Sequence, residues 1–250
     1  MDYSYLIKRK KGRKNNMYWD YYVLGIILLP GIILAIYAEC KVKSTYSKFS
    51  TAFAECGKTA KEVARLFLDS AGLQNIQITR VSGELTDYYH HRKKVIALSD
   101  SVSDSQSISA IGVACHEVGH ALQYQSGYSP IKLRNFFIPI CNFANSFLWV
   151  FIFLGAIFFY TNLGMTFLWI GVGIFTLSVL LNLITLPIEY DASKRALHLL
   201  EKSTVLSPEE TDCAKKVLNA AALTYVAALV VSILNLLRLI LAITRNSRRD

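Results

Sequence analysis

The stretch SDSQSISAIGVACHEVGHALQYQSG, Ser103 to Gly127, decides how this chain is read. Ser105 and Ser107 can each accept a hydrogen bond from the free amides of a first helical turn. The residues after them suit a helix as far as about Gln125, and Gly127 with Pro130 ends it. Inside that helix stand His116, Glu117 and His120, in the pattern H-E-x-x-H. Histidines four residues apart stack about 6 Å from each other on one helix face, so their imidazoles can converge on one Zn²⁺. Glu117, turned by about 100° from His116, reaches a water at the open coordination position. Two ligands and a general base are thereby in place, and independent placement of the residues would produce the pattern in only about four chains per thousand. Small residues at Ser109, Gly112 and Gly119 leave room for something to approach the helix.

The surroundings of this helix are apolar. Hydrophobic residues make up 53% of the 250, and the mean hydropathy is +0.33, values of a membrane protein rather than a soluble one. Four stretches approach the roughly 20 residues that cross a bilayer: Tyr21–Ala38, Phe143–Tyr160, Met165–Ile188 and Ala221–Ile243. Residues 1–20 form a basic leader, 21–38 the first span, and 39–142 a domain of its own. Residues 143–188 form a transmembrane hairpin turned by TNLG, 189–220 a helical segment, and 221–250 the fourth span and basic tail.

Within residues 39–142, Thr59 and Glu62 have capping-box spacing ahead of a helix whose Val63, Leu66 and Phe67 share a face and which stops at Gly72. Ile76 and Ile78 alternate with polar neighbours as in a strand, and ELTDYYHH with KKVIALS reads as a hairpin. Near the end, Ser207 and Pro208 open a helix with neither Gly nor Pro as far as Ile243. The fold class is therefore mainly helical α+β: a multi-pass membrane protein of about four spans with a small domain of short sheet plus H-E-x-x-H helix.

The net charge of +9 flanks the apolar runs, as topogenic and headgroup-binding residues do, and no nucleic-acid module is present. The partners expected are therefore a lipid bilayer and a substrate, not nucleic acid. Cys40, Cys56, Cys115, Cys141 and Cys213 are odd in number and unpaired in spacing, which argues against a disulfide framework, and Cys115 points off the histidine face. The first apolar run lacks a cleavage site and reads as a retained anchor.

A catalytic zinc needs a third protein ligand. His90 and His91 fall in the hairpin turn and His198 on a later helix. LPIEYDASKRALHLL is the better source: Pro187 is expected to break the third span and open a helix bearing Glu189 and Asp191. Two spans between His120 and Glu189 return the chain to the histidines' side of the membrane.

At these residues the chain resembles the YugP-type membrane zinc metallopeptidases, a family of H-E-x-x-H neutral zinc metallopeptidases. The resemblance runs from about Met17 and is carried by KVKSTYSKFS, GELTDYY, SISAIGVACHEVGHALQ, LITLPIEYDASKRAL and VLNAAALTYVAALVVSIL. It implies a multi-pass membrane peptidase with a zincin-like domain, one Zn²⁺ per chain on His116 and His120, and catalysis by Glu117. By analogy with zincins that place a glutamate on a later helix, it implies Glu189 as third ligand. Such sequences usually read Asp-His-Tyr-Asp-Pro where this one has Asp87, Tyr88, Tyr89, His90 and His91. The leader before Met17 has no counterpart in that pattern, so translation from Met17 is expected, and peptides from residues 2–16 in native protein would refute it.

The function expected is a zinc-dependent endopeptidase acting on peptide or protein substrates, membrane proteins among them, at the surface of the cell membrane. Asp191 is a candidate to orient a ligand histidine. Arg195, Tyr190 and Tyr225 are candidates for the oxyanion, and the hairpin edge near Leu85–Tyr89 is a candidate for strand addition by substrate. The competing function is a non-catalytic membrane scaffold with a structural or vacant zinc site. An intramembrane protease ranks behind both, because the motif helix is too polar to span. The basic residues beside the spans on the catalytic side favour a cytoplasmic site if the leader is absent.

Overall fold

The computed structural model describes residues 25–159 and 161–247. In chain order its elements are α1 (Leu29–Ser50), α2 (Ala60–Ser70), β1 (Gln77–Val81), β2 (Tyr88–His90), β3 (Val95–Ser99), α3 (Ile108–Gln125), α4 (Ser129–Ile157), α5 (Asn162–Lys202) and α6 (Pro208–Ser247). The described chain divides into two units.

The first unit comprises Ile36–Pro139 and Leu181–Val226. Thr59 caps α2 as its spacing predicts. Its hydroxyl accepts from the Glu62 amide, and the Glu62 carboxylate accepts from the Thr59 amide at 2.8 Å. The buried face of α2 is Ala60, Val63, Ala64, Phe67 and Leu68. Leu66, expected on that face, lies at its margin and is 41% exposed. The face centres on positions 60, 64, 67 and 68, from which residue 66 is turned away.

The sheet order is β1-β3-β2. β1 runs parallel to β3 with Gln77 opposite Val95, and β2 is antiparallel to β3 with His90 opposite Val95. Ile96 and Leu98 of the central strand join Val63, Leu68, Ile111, Val118 and Leu200 in one core. Burying a leucine or phenylalanine side chain contributes about 1.5–3 kcal/mol, so α2 and β3 anchor α3 from two sides. Ser107 caps α3 by accepting from the Ala110 amide. Ser207 and Glu210 form a reciprocal cap at the head of α6, and Glu210 also accepts from the Glu55 amide at 2.8 Å.

The second unit is the described part of Met1–Ala35, Ile140–Leu180 and Ala227–Asp250. Leu168, Val172 and Ile243 form its buried cluster, and Gly31 lies against Val231 and Leu234. α4, α5 and α6 are long and apolar enough to cross a membrane, and at most 22% of the most apolar window of each is buried within the protein. Side chains that are apolar and unburied suit lipid contact.

One expectation changes, and a second is met for three of its four spans. α5 runs through Pro187 without a break, so the third span and the segment carrying Glu189 are one helix. The amide that Pro187 lacks leaves a single unmatched carbonyl, which a long helix packed at membrane level tolerates. Three helices, not four, qualify as spans among the described residues. The expected first span begins at Tyr21, and residues 21–24 lie outside the described residues. The helix that carries its remainder, α1, continues past Ala38 through Lys41, Lys43 and Lys48 to Ser50.

Candidate metal centre

Because α3 is regular, His116 and His120 lie one turn apart, their ring centroids 4.7 Å from each other. α5 crosses α3 at Gly119, where a Cβ would overlap the Ala192 carbonyl oxygen. The small residues of the motif helix thus admit neighbouring helices: Gly112 faces Ala214 of α6 as Gly119 faces Ala192 of α5. The close crossing brings buried Glu189, one turn before Ala192, onto the imidazoles. Its Oε2 is 3.3 Å from His116 Nε2 and 3.4 Å from His120 Nε2. Ligand atoms on a tetrahedral zinc with bonds of about 2.0–2.1 Å stand roughly 3.3–3.4 Å apart, so these separations match the edges of that polyhedron. Two imidazole nitrogens and a carboxylate oxygen, all within 4.8 Å of one another, are a donor set that fits Zn²⁺ with a fourth position left for water.

The groups behind the histidines determine their tautomers. Gln123, fully buried, donates through Nε2 to the Ile188 carbonyl at 2.7 Å and to Asp191 Oδ2 at 2.8 Å. Its Oε1 therefore faces His120 Nδ1 at 3.0 Å as an acceptor, which places the proton on Nδ1 and leaves the Nε2 lone pair toward Glu189. Ser193 Oγ lies 3.1 Å from His116 Nδ1, where its hydroxyl can accept from the ring N–H. Asp191 also accepts from Arg195 at 2.6 Å. Asp191 thus touches the site only through Gln123. Gln123 and Ser193 were not singled out in the sequence, although each sits at helical spacing from a site residue: three after His120 and four after Glu189.

Glu117 is 7% exposed, and among the described residues nothing donates a hydrogen bond to its carboxylate. Burial raises its pKa above the ordinary carboxylate value, against the opposing pull of the two histidines. At His120 burial works against the imidazolium, but Glu189 and Glu117 outweigh it and hold the pKa above the ordinary histidine value. The shift at Glu117 suits a carboxylate that takes up and releases a proton near neutrality.

A cavity of about 190 Å³ opens beside His116 and Glu189, with Val113, Leu218, Ala222 and Tyr225 among its walls and Asp87 and Leu85 at its rim. Asp87 accepts from the Ser99 amide at 2.7 Å and the Ser99 hydroxyl at 3.0 Å, and burial raises its pKa. Of the three oxyanion candidates only Tyr225 lines this cavity. Tyr190 is 48% exposed, and Arg195 lies over the Tyr128 ring. His91 stacks on Tyr124, His90 accepts from the Lys93 amide, and exposed His198 is outside the cluster. Cys115 is fully buried in the core, away from the ligand set, and burial pushes its thiol up.

The family model described as "Putative neutral zinc metallopeptidase" matches residues 24–244. The chain is 41% identical over 215 residues to the "Putative membrane protease YugP" of Bacillus subtilis (strain 168), covering 86% of this chain and 94% of that protein. No solved structure matches the chain.

Proposed function

The chain belongs to the neutral zinc metallopeptidase family, and from that premise we propose that it is a membrane-bound endopeptidase in which His116, His120 and Glu189 hold one zinc ion and Glu117 is the general base. The observation that carries the reading is that Glu189 Oε2 stands 3.3 and 3.4 Å from the two histidine Nε2 atoms, with the buried carboxylate of Glu117, to which no described residue donates a hydrogen bond, one residue after the first histidine. Zinc, when bound, supplies Lewis-acid chemistry that acidifies a water and polarises a carbonyl.

The chain's own residues do the rest. Glu117 takes a proton from the attacking water at its carboxylate and delivers it to the departing amine. Its raised pKa favours both halves of that exchange, because the protonated form is not prohibitively acidic. Gln123 and Ser193 hold the imidazoles in the tautomer that presents Nε2 to the metal. Tyr225, inside the cavity, is placed to donate to the oxyanion. β2 is one of the two edge strands of the sheet, and Leu85 and Asp87 just before it line the cavity, so an extended peptide adding to that edge would lie along the site.

The experiment is zinc analysis and peptide hydrolysis on detergent-purified wild type, Glu117→Gln, His116→Ala and Glu189→Ala. The expected result is about one zinc per chain in the wild type and in Glu117→Gln, loss of zinc in the other two, and hydrolysis in the wild type alone. Undiminished hydrolysis by Glu117→Gln would refute the assignment of the base.

A further inference from the structure

The places where charge stops along the helices set the level of the bilayer surface. In α4 the last charge is Arg134, and none follows to Ile157; in α5 none occurs from Asn162 to Ile188, so Glu189 is the first. In α6 the run from Val217 to Leu237 is uncharged, and at 1.5 Å per residue it spans roughly 30 Å, the thickness of a hydrocarbon core. Glu189 therefore stands at the edge of the apolar zone. The cavity beside it is walled by the first turns of the α6 run, with Leu218, Ala222 and Tyr225 facing it.

The surface around this end of the first unit agrees. Ile36 (58%), Phe136 (64%) and Leu183 (47%) are exposed on three different helices, and a second, shallow groove lined by Leu133, Phe136, Leu183 and Pro187 is almost wholly apolar. Scattered exposed leucines are ordinary, but large apolar side chains gathered in one groove on α4 and α5, beside the ends of their charge-free runs, suit lipid.

We infer that the substrate is the juxtamembrane stretch of a bilayer-anchored polypeptide, which reaches the site along the membrane surface and seats an apolar side chain in the cavity beside His116 and Glu189. The inference rests on the peptidase reading. A volume of about 190 Å³ accommodates one side chain of leucine to phenylalanine size, and its walls offer such a side chain chiefly apolar contacts. Anchoring of enzyme and substrate in one bilayer also replaces free diffusion by a high effective concentration, so a modest pocket suffices for turnover.

The test is to map new protein N-termini in membranes carrying the wild-type chain against membranes carrying Glu117→Gln. The expected result is that termini dependent on Glu117 fall within about five residues of the end of a span, with Leu, Ile, Met or Phe next to the cut, enriched at least tenfold over the share of such positions in the same membranes. Glu117-dependent termini scattered through soluble domains in proportion to their length would overturn the inference and leave the peptidase reading standing. No Glu117-dependent terminus at all would overturn both. Ala222→Leu, with Ala222→Val as a gentler filling of the same cavity, is expected to shift the residue next to the cut toward Ala and Val while zinc content is retained. An unchanged residue preference in zinc-loaded variants would remove the cavity from substrate recognition.

Discussion

Replacing Gly119 with alanine tests the crossing that assembles the site. A Cβ at Gly119 would overlap the Ala192 carbonyl oxygen and lie 3.0 Å from its carbonyl carbon and 3.2 Å from its Cα. Unstrained carbon pairs stay about 3.5–4.0 Å apart, so α3 and α5 must part by roughly 0.5–1 Å. The obstacle is helix backbone, which cannot rotate aside as a side chain would, and overpacking of this kind costs about 1–3 kcal/mol. The same displacement carries Glu189 away from His116 and His120, whereas zinc bonds tolerate departures of only about 0.2 Å. Zinc affinity is expected to fall at least about tenfold, together with a lower melting temperature. The assay is competition with a chelator of known affinity on detergent-purified protein, alongside thermal unfolding. Gly112→Ala is the control, because its Cβ would meet Ala214 Cβ at an ordinary 3.5 Å. Wild-type zinc affinity in Gly119→Ala, or an equal loss in Gly112→Ala, would refute the reasoning.

Two further outcomes follow from the groups around the ligands. Gln123→Leu removes the acceptor for His120 Nδ1 and leaves the Ile188 carbonyl and Asp191 without a donor from that side chain; zinc affinity should drop about 10–100-fold, and an unchanged chelator competition curve would show that the link has no role. Asp87 has a pKa raised by burial, so its folded form holds a proton more tightly than the unfolded chain does, and its contribution to stability is greatest at low pH and is lost as pH rises through the folded value. Asp87→Asn should therefore flatten the fall in melting temperature between mildly acidic and neutral pH, and an identical pH profile in the two proteins would contradict this.

The parts of this protein that short-range chemistry specifies were legible in its residues. Thr59 with Glu62 and Ser107 with the Ala110 amide mark their own helix starts, because a cap is a bond between neighbours in the chain. The first strand showed in the alternation of Ile76 and Ile78 with polar neighbours, the pairing of Tyr88–His90 with Val95–Ser99 in two strand-like runs around a polar turn, and the pair His116 and His120 in the helical turn. The long apolar runs identify α4, α5 and α6 by length alone, but Pro187 misled, since an isolated lost amide does not decide whether a well-packed helix continues.

The resemblance pointed to Glu189, but in physical terms it is tertiary structure that decides which acid meets the histidines. Glu189 and Asp191 are two residues apart, about 200° around one helix, and nothing local distinguishes them as ligands. The contact of Gly119 with the Ala192 carbonyl sets the rotation and closeness of α5 against α3, turning Glu189 to the imidazoles and Asp191 to Gln123 and Arg195. Helix periodicity orders residues around one axis; only packing between two axes tells which of them converge.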